Sequence, residues 1–267
     1  MLISGTDIRV ERTELTPFGA LVETADERDF REIPNVLLAR LIAEFKVVVL
    51  RGFSALTVSQ FTEYARSWGP LLSQKFGEVL ELVVRENPDN YVFTPGPVPF
   101  HFDGPFADDI PSYMFFHCIE APAPGAGGRT SFCEAAQLYA DESEDVRRHW
   151  ENLSITYSAK RQGHYGGSYT SPLVAPHPIT GVPTVRYAEP LPPAEFDNPL
   201  HIDIHGMPVE KQQEFIEQMG KKLYADLTYT HEWHDGDYVL VDNHAVLHHR
   251  ERFHRNSPRH IRRVQIL

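Results

Sequence analysis

Two short segments far apart in the chain constrain its fold more than anything else in it. The first is Val98-Pro99-Phe100-His101-Phe102-Asp103-Gly104-Pro105-Phe106, and the second is Asp242-Asn243-His244-Ala245-Val246-Leu247-His248. An imidazole and a carboxylate two residues apart, joined by one distant imidazole, make the facial triad that holds non-haem Fe(II) and leaves three coordination positions open. A chain that uses this set must fold to bring His101, Asp103 and His248 to one ion. Alone, the His-x-Asp pair is a weak signal. The chain has 14 histidines, so such a pair arises by chance, and the two side chains would then merely hydrogen-bond in a loop.

The chain has 267 residues and a net charge of −12. All-β sandwiches and barrels of this length are often one domain, so a single domain over 1–267 is expected. An acidic chain gains nothing from counterion release on nucleic acid and is repelled by anionic lipid, so neither is an expected partner. Two cysteines, Cys118 and Cys133, make a poor disulfide framework and point to a reducing compartment. Met1 to Gly5 runs into charges at Asp7, Arg9, Glu11 and Arg12, with no signal-like apolar run. No stretch approaches the roughly 20 apolar residues of a membrane span. The expectation is a cytoplasmic protein, with a homo-oligomer left open.

The periodicities read as many short strands and a few helices. Short alternating patches at Ile8-Arg9-Val10 and Leu21 to Thr24 suggest two strands. A helix with Pro34 near its first turn carries Leu37, Leu38, Leu41, Ile42 and Phe45 at helix spacing. Val47 to Leu50 is a β-branched run that reads as a strand buried on both faces. Thr57 is placed to cap a helix through Trp68, with Gly69 beyond it. Strands are expected at Val79 to Arg85, Tyr113 to Ile119, Leu227 to Trp233, Tyr238 to Asp242 and Arg262 to Leu267. Helices are expected over 134–152 and from Pro208 to Tyr224. The Pro-rich stretch before His101 reads as an irregular, rigid segment. Residues 158–206, rich in Gly, Pro, His and Tyr, show little periodicity and read as an unstructured lid or active-site insertion, or else as a plain surface loop. This pattern predicts a mainly β chain with flanking helices (α+β), a double-sheet jelly roll.

Three further features strengthen the metal reading. Asp242 and Asn243, near His248, can fix the backbone and the surroundings of the ligands. Arg259 lies eleven residues after His248, and a guanidinium in a dry pocket suits a carboxylate. Arg262 and Arg263 follow; three arginines near a C-terminus otherwise make a solvated face, but alternation puts Arg259 and Arg263 on one strand face. Finally, Gly127-Gly128-Arg129-Thr130 combines close backbone approach with the Thr130 hydroxyl, although a turn alone would explain it.

Together these motifs resemble the TauD/TfdA branch of the Fe(II)/2-oxoglutarate oxygenases. The shared pattern is the His-x-Asp, the Gly-Gly-x-Thr, the Asp-Asn-x-x-x-x-His and arginines eleven and fifteen residues after that His. The resemblance implies a double-stranded β-helix (jelly-roll) core. It implies Fe(II) on His101, Asp103 and His248, the co-substrate 2-oxoglutarate on Thr130 and Arg259, and O2. It matches Arg263, or else Arg262, to the arginine that holds an acidic substrate group. His244 departs from the pattern, since family members often carry Arg there. Phe76-Gly77-Glu78-Val79-Leu80-Glu81-Leu82, Phe116-His117-Cys118-Ile119-Glu120-Ala121-Pro122 and Pro258-Arg259-His260-Ile261-Arg262-Arg263-Val264 look, more closely, like the PvcB-type isonitrile desaturases. That likeness implies an aromatic amino-acid isonitrile such as tyrosine isonitrile as the small-molecule substrate. The implied outcome is desaturation of its side chain, in many members with loss of the carboxylate to give a vinyl isonitrile.

An aromatic substrate needs a pocket of apolar rings with one or two polar anchors. Phe76, Phe102, Phe106, Tyr165 and Tyr169 are candidates, and for each of them ordinary packing is an equal explanation. Asp103 argues against halogenation, because a halide needs that ligand position vacant. Three other readings stand beside the desaturase: a hydroxylase of a free amino acid or small acid, a zinc hydrolase on the same ligands, and a non-catalytic jelly-roll binding module. A hydrolase has no use for the Arg259/Thr130 pair.

Overall fold

The structure, a computed structural model, describes residues 11–75, 77–107, 109–162 and 165–267, without the side chains of 11, 12, 161, 162 and 165. The patch expected at Ile8 to Val10 lies outside it. The chain opens with a hairpin of β1 (Glu11–Glu14) and β2 (Ala20–Glu23). Helix α1 (Asn35–Phe45) buries Leu38 and Ile42, and Pro34 is its N-cap rather than its first helical residue. In β3 (Val47–Arg51), Val47 and Val49 face one hydrophobic core while Val48 and Leu50 face another, as a strand covered on both sides requires. Helix α2 (Val58–Arg66) starts in a capping box, with Thr57 accepting from the Gln60 amide and the Gln60 side chain accepting from the Thr57 amide. It ends at Arg66, short of the expected Trp68.

Strands β4 (Val79–Leu82), β5 (Val98–His101), β6 (Tyr113–Glu120) and β7 (Thr130–Glu134) follow. The segment before His101 therefore ends in a regular strand, not in irregular chain. The helix expected over 134–152 is two helices, α3 (Ala135–Ala140) and α4 (Glu144–Trp150), because the Ser143 hydroxyl accepts from the Val146 amide and starts a new one.

The largest correction concerns 158–206. It is built of strands: most of β8 (Ser154–Gln162), then β9 (Tyr165–Pro172), β10 (Val174–Pro176), β11 (Pro183–Val185) and β12 (Leu200–His205). Its alternation is hidden by composition. Ser171, Leu173 and Ala175 are buried, while Pro172 and Pro176 are exposed and Val174 is partly so. Helix α5 (Val209–Leu223) and strands β13 (Thr228–His231), β14 (Tyr238–Asp242), β15 (Val246–Arg250) and β16 (His260–Ile266) complete the chain. No helix among the described residues is long and apolar enough to cross a membrane.

Two sheets face one another as a jelly roll. The larger runs β1-β2-β3-β14-β6-β16-β4, and the smaller runs β13-β7-β15-β5. Their shared core joins Val47, Met114, Val239 and Ile261 of the first to Phe132, Tyr229 and Val246 of the second. Helices α1 and α2 cover the outer face of the larger sheet. The sheet β12-β8-β9 and helix α5 contribute to the hydrophobic cluster that includes Phe100 and Leu247 of the smaller sheet. Phe132, fully buried between the sheets, would cost about 3–5 kcal/mol to truncate to Ala. Cys118 and Cys133 are free thiols, both buried.

Candidate metal centre

The pairing of β5 with β15 sets His101 directly opposite His248, with ring centroids 4.1 Å apart. Asp103 leaves the end of β5 two residues later. Gly104, at φ +113°, turns the chain immediately after it, and a Cβ there would come within 3.0 Å of Ile110 and Pro111. One ligand atom from each of His101, Asp103 and His248 can be chosen so that all lie within 4.8 Å of one another. Asp103 Oδ1 is 3.5 Å from His101 Nε2 and 4.0 Å from His248 Nε2.

The surroundings leave the right atoms free. His101 Nδ1 is 2.8 Å from the Pro99 carbonyl, so it carries the proton and leaves the Nε2 lone pair available. Burial pushes His248 well below the usual imidazole value, chiefly by desolvation and then by His101, so it stays neutral. Burial alone would raise the Asp103 carboxyl, but Arg263 and the two histidines hold it well below the usual range. Two imidazoles and one carboxylate fit ferrous iron.

The ligand segment is held from several sides. Asn243 accepts from the Asp103 amide at 3.0 Å and donates to the Asp103 carbonyl at 3.0 Å and the Pro111 carbonyl at 2.8 Å. Asp242 accepts from the His244 amide at 3.0 Å and contacts His177 Nε2 at 2.9 Å. At His244, Arg186 donates to Nδ1 over 3.1 Å. The buried Arg250 guanidinium donates to the carbonyls of Val92, Thr94 and Gly96 at 2.7, 2.8 and 2.6 Å, tying the Pro-rich approach of β5 to β15. Glu189 accepts from the Phe100 amide at 2.8 Å, and burial raises its carboxyl.

Thr130 and Arg259 come together. Arg259 Nε donates to the Gly128 carbonyl at 3.0 Å, and its NH2 is 3.4 Å from Thr130 Oγ1. A Cβ on Gly128 would sit 3.2 Å from Arg259 Cδ, so the close approach needs glycine. Arg259 is 5% exposed, and burial pulls it down to about 10. Among the described residues no carboxylate pairs with it. A buried guanidinium without a counter-anion is costly, and this one is built to receive a carboxylate. Thr130 and Phe132 share a face of β7, and Phe132 is the cross-strand partner of His248, so the Thr130 hydroxyl is on the metal side of the smaller sheet.

The other expected residues divide. Arg263 NH1 contacts Asp103 Oδ2 at 2.8 Å. Arg262 does not join it: alternation turns it outward, where its Nε is 3.0 Å from Glu81 Oε1. Phe102 and Phe106 line a cavity with Tyr157, Leu191 and Leu200, and its polar groups include His101, Asp103, Glu189, Arg263 and Gln265. Tyr169 is partly buried against the neighbouring hydrophobic cluster. Phe76 and the side chain of Tyr165 lie outside the described residues. Sequence reasoning missed Gln265, Trp233, Arg250 and Glu189. Only Gln265 had a signal, two residues from Arg263 on the same strand face.

Comparison with known proteins agrees with this geometry. The sequence model of the taurine catabolism dioxygenase TauD, TfdA family matches residues 11–265. A 3-((Z)-2-isocyanoethenyl)-1H-indole synthase of Fischerella ambigua is 44% identical over 95% of this chain and 94% of its own. A tyrosine isonitrile desaturase of Pseudomonas aeruginosa is 34% identical over 97% of this chain and 90% of its own. The structure of PvcB, an Fe, alpha-ketoglutarate dependent oxygenase from an isonitrile synthetic pathway, superposes with a TM-score of 0.79 at 29% identity, over 100% of this chain and 94% of that one.

Proposed function

This chain belongs to the TauD, TfdA family of Fe(II)- and 2-oxoglutarate-dependent dioxygenases, and from that premise we propose that it desaturates an aromatic amino-acid isonitrile, with loss of the carboxylate, to a vinyl isonitrile. His101, Asp103 and His248 would hold the iron; Asp103 Oδ1 lies 3.5 and 4.0 Å from the Nε2 atoms of the two histidines. Arg259 and Thr130 receive the far carboxylate of 2-oxoglutarate. The observation that carries the reading is the buried, carboxylate-free Arg259 beside Thr130 on the metal side of the fold. A hydrolase on the same triad has no need of it.

When bound, iron and 2-oxoglutarate together turn O2 into the oxidant that takes hydrogen from the substrate, leaving succinate and CO2. The balance is simple. O2 accepts four electrons, two from 2-oxoglutarate and two from the substrate, which loses one side-chain hydrogen and its carboxylate as CO2. The protein binds, orients and keeps water out. Phe102, Phe106, Tyr157, Leu191 and Leu200 give the cavity apolar walls for an aromatic ring. The segment 158–206 contributes Ala188, Glu189, Leu191 and Leu200 to the lining, which supports its role as an active-site insertion. Arg263 holds Asp103 with NH1 and also lines the cavity, and among the described residues its buried Nε has no partner, which leaves the guanidinium capacity for a substrate carboxylate.

The test is product mass spectrometry on tyrosine isonitrile and tryptophan isonitrile with Fe(II), 2-oxoglutarate and O2. Loss of CO2 and two hydrogens is expected from at least one of them. A gain of one oxygen, with neither loss, would make the protein a hydroxylase.

A further inference from the structure

The Thr130 hydroxyl has two neighbours of one kind. Trp233 Nε1 donates to its oxygen at 3.0 Å, and the Arg259 NH2 approaches the same oxygen at 3.4 Å. Indole and guanidinium nitrogens are donors only. Both lone pairs of the hydroxyl are thereby engaged, and its own hydrogen has no acceptor among the described residues. That hydrogen is left to point away from Trp233 and Arg259.

Trp233 is itself held firmly. It is 3% exposed. The His231 ring meets it edge-on at 4.6 Å, and Phe116 lies 6.1 Å away. His231 is anchored in turn by a hydrogen bond between its Nδ1 and the Tyr229 hydroxyl at 3.0 Å, and its Nε2 lies 3.2 Å from Asp237 Oδ2. Asp237 is fully buried and takes two bonds from Arg51, at 2.8 and 2.7 Å. A buried ion pair thus backs the indole ring, and the ring backs the hydroxyl.

We propose that Trp233 is a positioning residue for co-substrate binding: by occupying one acceptor site of Thr130, it fixes the hydroxyl as a donor to the far carboxylate of 2-oxoglutarate. The inference rests on the reading of Thr130 and Arg259 given above. Without the indole N–H, the hydroxyl rotates freely and donates to the carboxylate only part of the time. The side chain contributes to 2-oxoglutarate affinity while touching neither metal nor co-substrate.

The experiment is calorimetry of 2-oxoglutarate binding to the full-length protein loaded with Co(II), without O2, so that nothing depends on turnover. Four proteins form a cycle: wild type, Trp233→Phe, Thr130→Val and the double variant. Thr130→Val is expected to weaken binding about tenfold, the low end for one hydrogen bond to a charged group, and Trp233→Phe about three- to fivefold, since it loosens that bond without removing it. Co(II) affinity is expected to stay unchanged. In the Thr130→Val background, Trp233→Phe is expected to add almost nothing. A second substitution at 233, the benzothienyl analogue of tryptophan, keeps the bicyclic ring and removes only the N–H. It is expected to repeat the Trp233→Phe result and guards against a folding defect in that variant. If Thr130→Val weakens binding but both changes at 233 leave it alone, or if their effect persists in full without the hydroxyl, the positioning role is overturned. If Thr130→Val itself has no effect, the fault lies one step earlier, in the assignment of Thr130 to the co-substrate.

Discussion

Gln265 Nε2 donates to Asp103 Oδ2 over 2.7 Å, from a position 162 residues further along the chain. Arg263 holds the same oxygen from two residues away on β16. The carboxylate is therefore fixed with Oδ2 engaged and Oδ1 turned toward the two imidazoles. Replacing Gln265 by Leu is expected to weaken Fe(II) or Co(II) binding about 10- to 100-fold, the usual range for losing a partner of a metal ligand. An anaerobic metal titration reads this directly; an unchanged dissociation constant would show that Arg263 alone suffices.

Asp103→Ala removes a ligand outright. Succinate formation is expected to vanish, with no restoration at high 2-oxoglutarate. Retained turnover would remove Asp103 from the ligand set.

Arg259→Met tests the co-substrate clamp and carries an opposite prediction for stability. A buried guanidinium with no carboxylate partner destabilises the empty protein, so an apolar side chain of similar length is expected to leave the melting temperature unchanged or raise it. Added 2-oxoglutarate is expected to raise the melting temperature of wild type and not of the variant. A variant that melts far lower, yet still responds to 2-oxoglutarate, would place the carboxylate elsewhere.

The three ligands and the clamp were legible because each is written as a spacing within a few residues of sequence. Much of what holds them was not. Gln265 and Trp233 act through hydrogen bonds to residues distant in sequence; nothing beside Trp233 announces a partner, and Gln265 is marked only by sharing a strand face with Arg263. Strand β15 escaped notice because all five of its residues, Val246-Leu247-His248-His249-Arg250, are buried, so it shows no polar alternation. Its longest polar member, Arg250, is held instead by tertiary contacts, through hydrogen bonds from its two terminal nitrogens to three carbonyls. Strands β8 and β9 were hidden for the converse reason: Thr, Ser, Tyr and Gly fill positions where an apolar alternation would have shown.

Stability is expected to fall in mild acid, and His117 is one identifiable cause. Burial, then the nearby Arg262, pulls its imidazole from the ordinary 6.5 down to about 4. The unfolded chain binds a proton there before the folded one does. The His117 contribution is thus present above about pH 6.5 and lost as the pH falls toward 4. The ring stacks on Tyr238 at 4.2 Å and its Nδ1 has no partner among the described residues, so phenylalanine fits the site. His117→Phe is expected to reduce the slope of denaturation midpoint against pH in this window. An unchanged slope would assign the acid sensitivity to other buried histidines, such as His249, which burial also pushes down to about 4.

The central claim is that His101, Asp103 and His248 hold one ferrous ion while Arg259 holds the co-substrate beside it. The most direct measurement is visible absorption of the anaerobic protein mixed with Fe(II) and 2-oxoglutarate. A weak charge-transfer band is expected in wild type, absent from His248→Ala and lost from Arg259→Met at the same 2-oxoglutarate concentration. Stoichiometric iron binding with no such band, or a band that survives His248→Ala, would contradict it.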